Sequence, residues 1–203
     1  MAIRRIVTVD EDNPVLRAQA RPITRVNRRI RKLMDDMVET MRDADGVGLA
    51  APQIGLDMRV IVVEVPLMPE GSEGSESPEA IDAEAAMAER DEEPPTRVFA
   101  LANAEIVWAS DEIVEGREAC LSIPGLFGDV PRHAAVHVRG LDRSGEALLL
   151  ELQDFDARVF QHEIDHLDGR LFVDLVTGLD KLYTLEEDED GDWVRVPYAT
   201  PSV

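Results

Sequence analysis

Two histidines four residues apart flank a glutamate in the run His162-Glu163-Ile164-Asp165-His166. On a helix that spacing stacks the imidazoles one turn apart, where both reach a single metal ion. Glu163 projects beside the first of them. A carboxylate so placed takes a proton from water activated by the ion without being a ligand itself, which is the arrangement of metal-assisted hydrolysis. The third ligand decides the class. The run continues to Gly169 in register with a zinc-protease pattern that needs a histidine at position 172, but that position is Phe172. A downstream glutamate, Glu186 or Glu187, falls in an acidic segment expected to be an unstructured tail. His133 and His137 sit on or beside an expected strand and read as ordinary structural residues. Cys120 remains, and a thiolate joined to two imidazoles holds a borderline or soft divalent ion while leaving a fourth position to water.

The chain that must position these groups has 203 residues, 44% of them apolar and only 4% aromatic, enough for one domain around one sizeable core. Its formal charge is −21, which argues against a protein whose main work is neutralising nucleic-acid phosphate or anionic lipid. The charge is uneven: Glu64 to Arg97 and Glu186 to Asp192 together hold 15 of the 21 excess negative charges. No apolar run approaches the roughly 18 residues that span a bilayer. Met1 to Asp10 lacks the apolar stretch of a signal peptide, so a cytoplasmic location is expected. A single cysteine forbids an intramolecular disulfide and fits a reducing compartment.

From Asn27 to Arg42 the apolar residues Ile30, Leu33, Met34, Met37, Val38 and Met41 keep helical spacing, with Asn27 as the cap. Short β-branched runs follow at Met58 to Val65, Val98 to Ala102, Glu105 to Ala109, Glu112 to Glu115, Ala135 to Gly140 and Ala147 to Glu151, and turn residues separate them. A last helix is expected from Asp154 to Leu167, ended by Gly169 in a left-handed cap. Trp193 to Val196 resembles a short strand. The order implies an α+β fold: antiparallel sheets packed around a central helix that carries the H-E-x-x-H run, with an N-terminal amphipathic helix. The Pro-, Gly-, Ser- and Glu-rich stretch 66–95 reads as a solvated insertion in a single domain spanning 1–203, with Pro78 to Asp91 able to form a short helix. An acidic tail is expected at 186–203.

Three blocks stand in order: Gly46-Val47-Gly48-Leu49-Ala50-Ala51-Pro52-Gln53-Ile54-Gly55, Glu118-Ala119-Cys120-Leu121-Ser122-Ile123-Pro124-Gly125, and Gln161-His162-Glu163-Ile164-Asp165-His166-Leu167-Asp168-Gly169. In that order they resemble bacterial peptide deformylase, which removes the formyl group from N-formylmethionine on newly made chains. The resemblance runs from about Ile3 to Leu175, insertion excluded. It implies Cys120, His162 and His166 as metal ligands and Glu163 as general acid/base. Gln53 and the backbone N–H of Leu121 become the oxyanion site. It implies one divalent ion, usually Fe²⁺ and readily replaced by Zn²⁺ or Ni²⁺. Substrate contacts fall to Gly46, Val47, Gly48, Glu118 and Ala119, and to Phe155, Arg158 and Val159 around the methionine side chain. Phe155 and Val159 read equally well as core.

The sequence departs from the family pattern in three places. Ala119 replaces the commoner glycine, Gly125 to Gly128 is apolar where some members carry a basic residue, and the C-terminal segment is acidic where many relatives end in a partly basic helix that docks on the ribosome. The expected partners are therefore N-formylmethionyl nascent peptides, with the ribosome as a further partner whose docking mode is open. No direct nucleic-acid recognition and no membrane contact are expected. Two rival readings stand beside this one: a metal hydrolase of another small N-acyl peptide, and a catalytically silent metal-holding binder of nascent chains. Retention of both Glu163 and Gln53 speaks against the silent binder, because a structural Cys/His site needs neither.

Overall fold

Asn27 turns its side-chain oxygen onto the backbone N–H groups of Arg29 and Ile30 and so starts helix α1 (Arg28–Asp43) at the expected place. The computed structural model describes residues 2–67, 95–188 and 191–198. Among the described residues nine strands form two antiparallel sheets. The first sheet has the order β1-β2-β3-β6-β7, from β1 (Gly48–Ala50), β2 (Val60–Pro66), β3 (Thr96–Ala109), β6 (Ala135–Leu141) and β7 (Ala147–Gln153). The second has the order β4-β5-β8-β9, from β4 (Ile113–Cys120), β5 (Ile123–His133), β8 (Leu182–Glu187) and β9 (Trp193–Pro197). Helix α2 (Asp154–Leu167) carries the His162 to His166 run. Gly169 closes it at φ 73°, in the left-handed region, with the Arg17 and Ala18 backbone too close for a side chain.

Strand β2 explains how the layers stack. Val60 and Val62 face α1 in one cluster with Met34, Met37 and Met41, while Ile61, Val63 and Val65 face α2 in another with Phe160, Ile164 and Leu167. An apolar run without alternation is the mark of a strand covered on both faces, and Val60 to Val65 is such a run but for Glu64. Phe160 is fully buried, edge-on to Phe99 at 5.5 Å. Below the far side of α2 lies a third, smaller cluster built from Cys120, Ile123, Val130, Leu171, Phe172 and Leu182. The motif helix therefore lies between the two sheets, and all its residues from Val159 to Leu167 are buried.

Several expectations need correction. Val98 to Ala102 and Glu105 to Ala109 are halves of one strand, β3, bent by irregular register at Ala102/Glu105 and at Ile106/Trp108, with Asn103 at φ 54° between them. Strand β4 runs on from the expected Glu112 to Glu115 as far as Cys120. Strand β5 was not foreseen, because Pro124, Gly125, Gly128 and Pro131 punctuate it as a loop would be punctuated. Glu186 and Glu187 do not sit in an unstructured tail; they end β8, paired with Val194 and Trp193 of β9. The ends of the acidic stretch meet, since Pro66 pairs with Thr96 and Leu67 N–H donates to Pro95 O at 2.7 Å. The helix expected at Pro78 to Asp91 lies outside the described residues. No helix among the described residues is long and apolar enough to cross a membrane.

Candidate metal centre

Cys120 ends β4 at a register shift after Ala119, and His162 and His166 stand one turn apart on α2. One donor atom from each lies within 4.8 Å of the other two, all three residues being buried. Cys120 Sγ is 3.2 Å from His166 Nε2, and the imidazole rings meet edge-on with centroids 5.0 Å apart. Gln53 enters from a 3-10 turn at Ala51–Ile54. Its Oε1 accepts from Ala50 N–H at 2.7 Å, and that bond directs its Nε2 at Cys120 Sγ, 3.4 Å away.

Behind His162 lies a buried charge network. Glu118 Oε2 accepts from His162 Nδ1 at 2.8 Å, which fixes the tautomer and leaves Nε2 free to face the sulfur. Arg132 Nε and Nη2 fork onto Glu118 at 2.7 and 2.9 Å, and Arg132 Nη1 donates to Asp165 on α2. Burial alone would raise the Glu118 carboxyl, but Arg132 and His162 hold it at about 2, so it is ionised. Burial also opposes the Cys120 thiolate, and the two imidazoles outweigh it, setting the thiol well below its ordinary value. His162 is held well above its ordinary value, because the Cys120 sulfur and Glu118 outweigh the cost of burial.

Glu163 behaves oppositely. Burial pushes its carboxyl up to about 7 against the pull of both imidazoles, and its Oε2 is buried without a hydrogen-bond partner among the described residues. A carboxyl poised near neutrality both takes and gives a proton.

The donor set fits a divalent ion. A low-pKa thiolate and two imidazoles suit a borderline ion; His162 is oriented from behind by Glu118, whereas His166 Nδ1 lacks a partner among the described residues and its ring is held by packing. Among the remaining expected site residues, Gly48 abuts Glu163, Gly46 abuts Leu121, and Val47 is exposed. Phe155 is exposed at the start of α2, whereas Val159 is buried in the main core cluster. Arg158 donates to the carbonyls of Val114, Gly116 and Val130 and to Glu118, tying α2 to the second sheet. His133 and His137 lie apart from the cluster: His133 Nδ1 bonds Ser110 O and His137 packs on Trp108. Arg132 and Asp165 escaped the sequence reading. Asp165 was visible inside the motif, but Arg132 lies on the unforeseen β5.

A thiolate and two imidazoles around one point, with a buried carboxyl at their side and a helix held between antiparallel sheets, define a single-metal hydrolase. The polypeptide deformylase family model matches residues 3–182. A peptide deformylase of Symbiobacterium thermophilum is 43% identical over 190 residues, covering 94% of this chain and 74% of that protein. One from Thermus thermophilus is 45% identical over 164 residues, covering 80% and 77%. The crystal structure of peptide deformylase from Thermotoga maritima superposes with TM-score 0.69 at 32% identity, covering 88% of this chain and all of that one. The chain belongs to the polypeptide deformylase family, metal-dependent hydrolases that remove the formyl group from N-terminal methionine.

Proposed function

We propose that this chain deformylates newly made polypeptides with Cys120, His162 and His166 holding the metal ion and Glu163 as general acid/base. The observation that carries this reading is the buried Cys120/His162/His166 cluster whose donor atoms lie within 4.8 Å of one another, with the buried carboxyl of Glu163, raised by burial, beside it. A divalent ion held there supplies a Lewis acid for the formyl oxygen and acidifies water. Fe²⁺ is the ion we propose, with Zn²⁺ and Ni²⁺ as substitutes, since all three accept thiolate and imidazole.

Glu163 takes the proton of the attacking water and later delivers it to the departing amine. The Gln53 amide and the Leu121 backbone N–H are the donors for the oxygen that gains negative charge. Gly46, Val47, Gly48 and Ala119 hold the peptide backbone, with the exposed Val47 side chain as the outermost contact. For the methionine side chain the proposed wall is Phe155, Arg158 and Val159, bordered by Glu118. Its geometry favours Phe155 as the contact, because Val159 is spent on the core and the Arg158 guanidinium on main-chain carbonyls. The reaction belongs in the cytoplasm, at the ribosome where formylated N-termini first appear.

Protein purified without oxygen and assayed for bound metal should turn over formyl-Met-Ala-Ser and leave acetyl-Met-Ala-Ser intact. Equal rates on both would favour the broader N-acyl hydrolase. Glu163→Gln should keep its metal and lose about 10²- to 10⁴-fold in turnover; unchanged deformylation would end the general-base assignment.

A further inference from the structure

Strand β7 is an open edge. It ends the first sheet, and no backbone group of Ala147 to Gln153 bonds anything but β6 among the described residues. The direction of its free groups follows from its neighbour. Ser110 N–H donates to Ala135 O at 2.9 Å and Ser110 Oγ accepts from Ala135 N–H at 3.1 Å, so Ala135 turns both groups away from β7. Ala135 faces Gln153 in the ladder between β6 and β7, and this orientation alternates along antiparallel strands. Gln153, Glu151, Leu149 and Ala147 therefore present N–H and C=O outward. Natural sheets guard such edges with charge, proline, a bulge or shortness. The other three edges comply. Strand β1 has three residues, β4 has a register shift at Ala119/Cys120 and gives the carbonyls of Val114 and Gly116 to Arg158, and β9 carries Arg195 and Pro197. Strand β7 reads Ala-Leu-Leu-Leu-Glu-Leu-Gln, with one charge and no proline, and Leu149 is 54% exposed.

We infer that β7 pairs with β7 of a second copy of this chain, antiparallel across a twofold axis at Leu150, so that the two first sheets become one. The register follows from the strand itself. With Leu150 on the axis every outward residue finds a partner, Ala147 with the partner's Gln153 and Leu149 with the partner's Glu151. Sliding by two residues one way sets Glu151 against the partner's Glu151, and sliding the other way leaves Gln153 unpaired. Leu148, Leu150 and Leu152 then occupy the non-hydrogen-bonded positions, where side chains of neighbouring strands come closest. Leu150 meets its own copy and Leu148 meets the partner's Leu152, which carries the main core cluster across the axis. A second copy also fits by charge. Across the outer face the row reads Glu105, Arg139, Leu149, then the partner's Glu151. Glu151 is exposed and has no ion-pair partner among the described residues, while Arg139 is 61% exposed and pairs with Glu105. An unrelated strand would satisfy the backbone without placing an acid beside Arg139. The net charge of −21 opposes association of like copies, but physiological salt confines that repulsion to about 8 Å. Pairing here leaves both clefts open, because β1, which borders Glu163, is at the opposite end of the sheet.

Sedimentation of the zinc-loaded full chain over a range of concentrations tests this. One pair of edge strands buries less than the about 1,200 Å² of a standard interface, so a reversible dimer with a dissociation constant on the order of tens of micromolar is expected. Leu149→Lys sets a cation against the partner's Glu151 at two symmetry-related places and should tighten the dimer about 2- to 30-fold, whereas Leu149→Glu should weaken it by a similar factor. Position 149 is exposed, so both variants should melt and turn over formyl-Met-Ala-Ser as wild type does. The opposed signs are diagnostic. A register with Leu149 on the axis would set like charges together in both variants, and a dimer through another surface would respond to neither. Ala147→Cys mixed with Gln153→Cys should link by a disulfide under mild oxidation, since a hydrogen-bonded pair holds its Cα atoms about 5.5 Å apart, and neither variant alone should do so. The inference is overturned if the chain stays monomeric up to about 500 μM, if the Lys and Glu variants shift association in the same direction or not at all, or if the mixed cysteine variants link no better than either alone. Deformylation is read separately, so none of these outcomes touches the assignment of the active site.

Discussion

The backbone of Gly48 stands directly against the carboxylate of Glu163: a Cβ at that position would lie 2.7 Å from the Glu163 carboxyl carbon. Gly48 therefore leaves room for the general base as well as for substrate. Gly48→Ala must push Glu163 out of place, because β1 is fixed by its pairing with β2 and cannot retreat. A displacement of about 1 Å at a reacting group costs on the order of 100-fold. Turnover should drop by about that much while bound metal, measured on the purified protein, stays unchanged. Full activity in this variant would mean that Glu163 has room the structure does not give it.

Glu118 serves His162 and Arg132 at once, and the two services are separable. Glu118→Gln keeps the shape but strands the buried Arg132 with Asp165 alone, which should cost about 3–5 kcal/mol in urea unfolding. Metal affinity should fall about 10- to 100-fold, because the single oxygen that Gln retains must serve either Arg132 or His162, and the negative charge that raised the basicity of His162 is gone. In Glu118→Gln/Arg132→Met the unpaired cation is gone, so part of the stability should return while metal affinity stays low. Recovery of both together would make the network merely structural.

How much of this was legible from the sequence follows burial and local periodicity. Helix α1 announced itself through Ile30, Leu33, Met34, Met37 and Met41, and α2 through its motif and Gly169. The second sheet did not. Its strand β5 carries Pro124, Gly125, Gly128 and Pro131, and Gly128 is there because Phe172 and Leu182 pack onto its backbone, a reason that exists only in three dimensions. Arg132 went unseen with it. The pairing of His162 with Glu118 joins residues 44 apart, and no local pattern signals such a bond.

Removing the ion tests the three donors collectively. A chelator should abolish turnover, and Fe²⁺, Zn²⁺ or Ni²⁺ added back should restore it to different extents. An ion that binds only the folded chain stabilises it by about 4 kcal/mol at about a thousand times its dissociation constant. The stripped protein should therefore melt at lower temperature, and Cys120→Ser should show little further loss on chelation. Turnover that survives complete chelation would remove the metal from the reaction.

Asp36 provides a pH test remote from the site. Its carboxylate is fully buried and accepts from Ala2 N–H at 2.9 Å, from Arg4 at 2.6 Å and from Lys32 at 2.9 and 3.0 Å. Burial opposes the charge, but Lys32, Arg4 and the Ala2 amide outweigh it and hold the carboxyl at about 2, below its ordinary 3.8. A carboxyl lowered by folding stabilises the native state above the unfolded value, and that contribution disappears as pH falls through the folded one. The linkage ceiling is about 2 kcal/mol. Arg4 and Lys32 are 44% and 64% exposed, so solvent screening reduces the expected share to about 1 kcal/mol. Asp36→Asn should accordingly be less stable than wild type by about that amount at about pH 7, and the gap should close between about pH 4 and about pH 2. Urea unfolding across that range measures it. A gap that stays constant down to about pH 2 would show that the substitution costs packing alone, and that the pairs to Arg4 and Lys32 add nothing to the hold on the N-terminal segment of the chain.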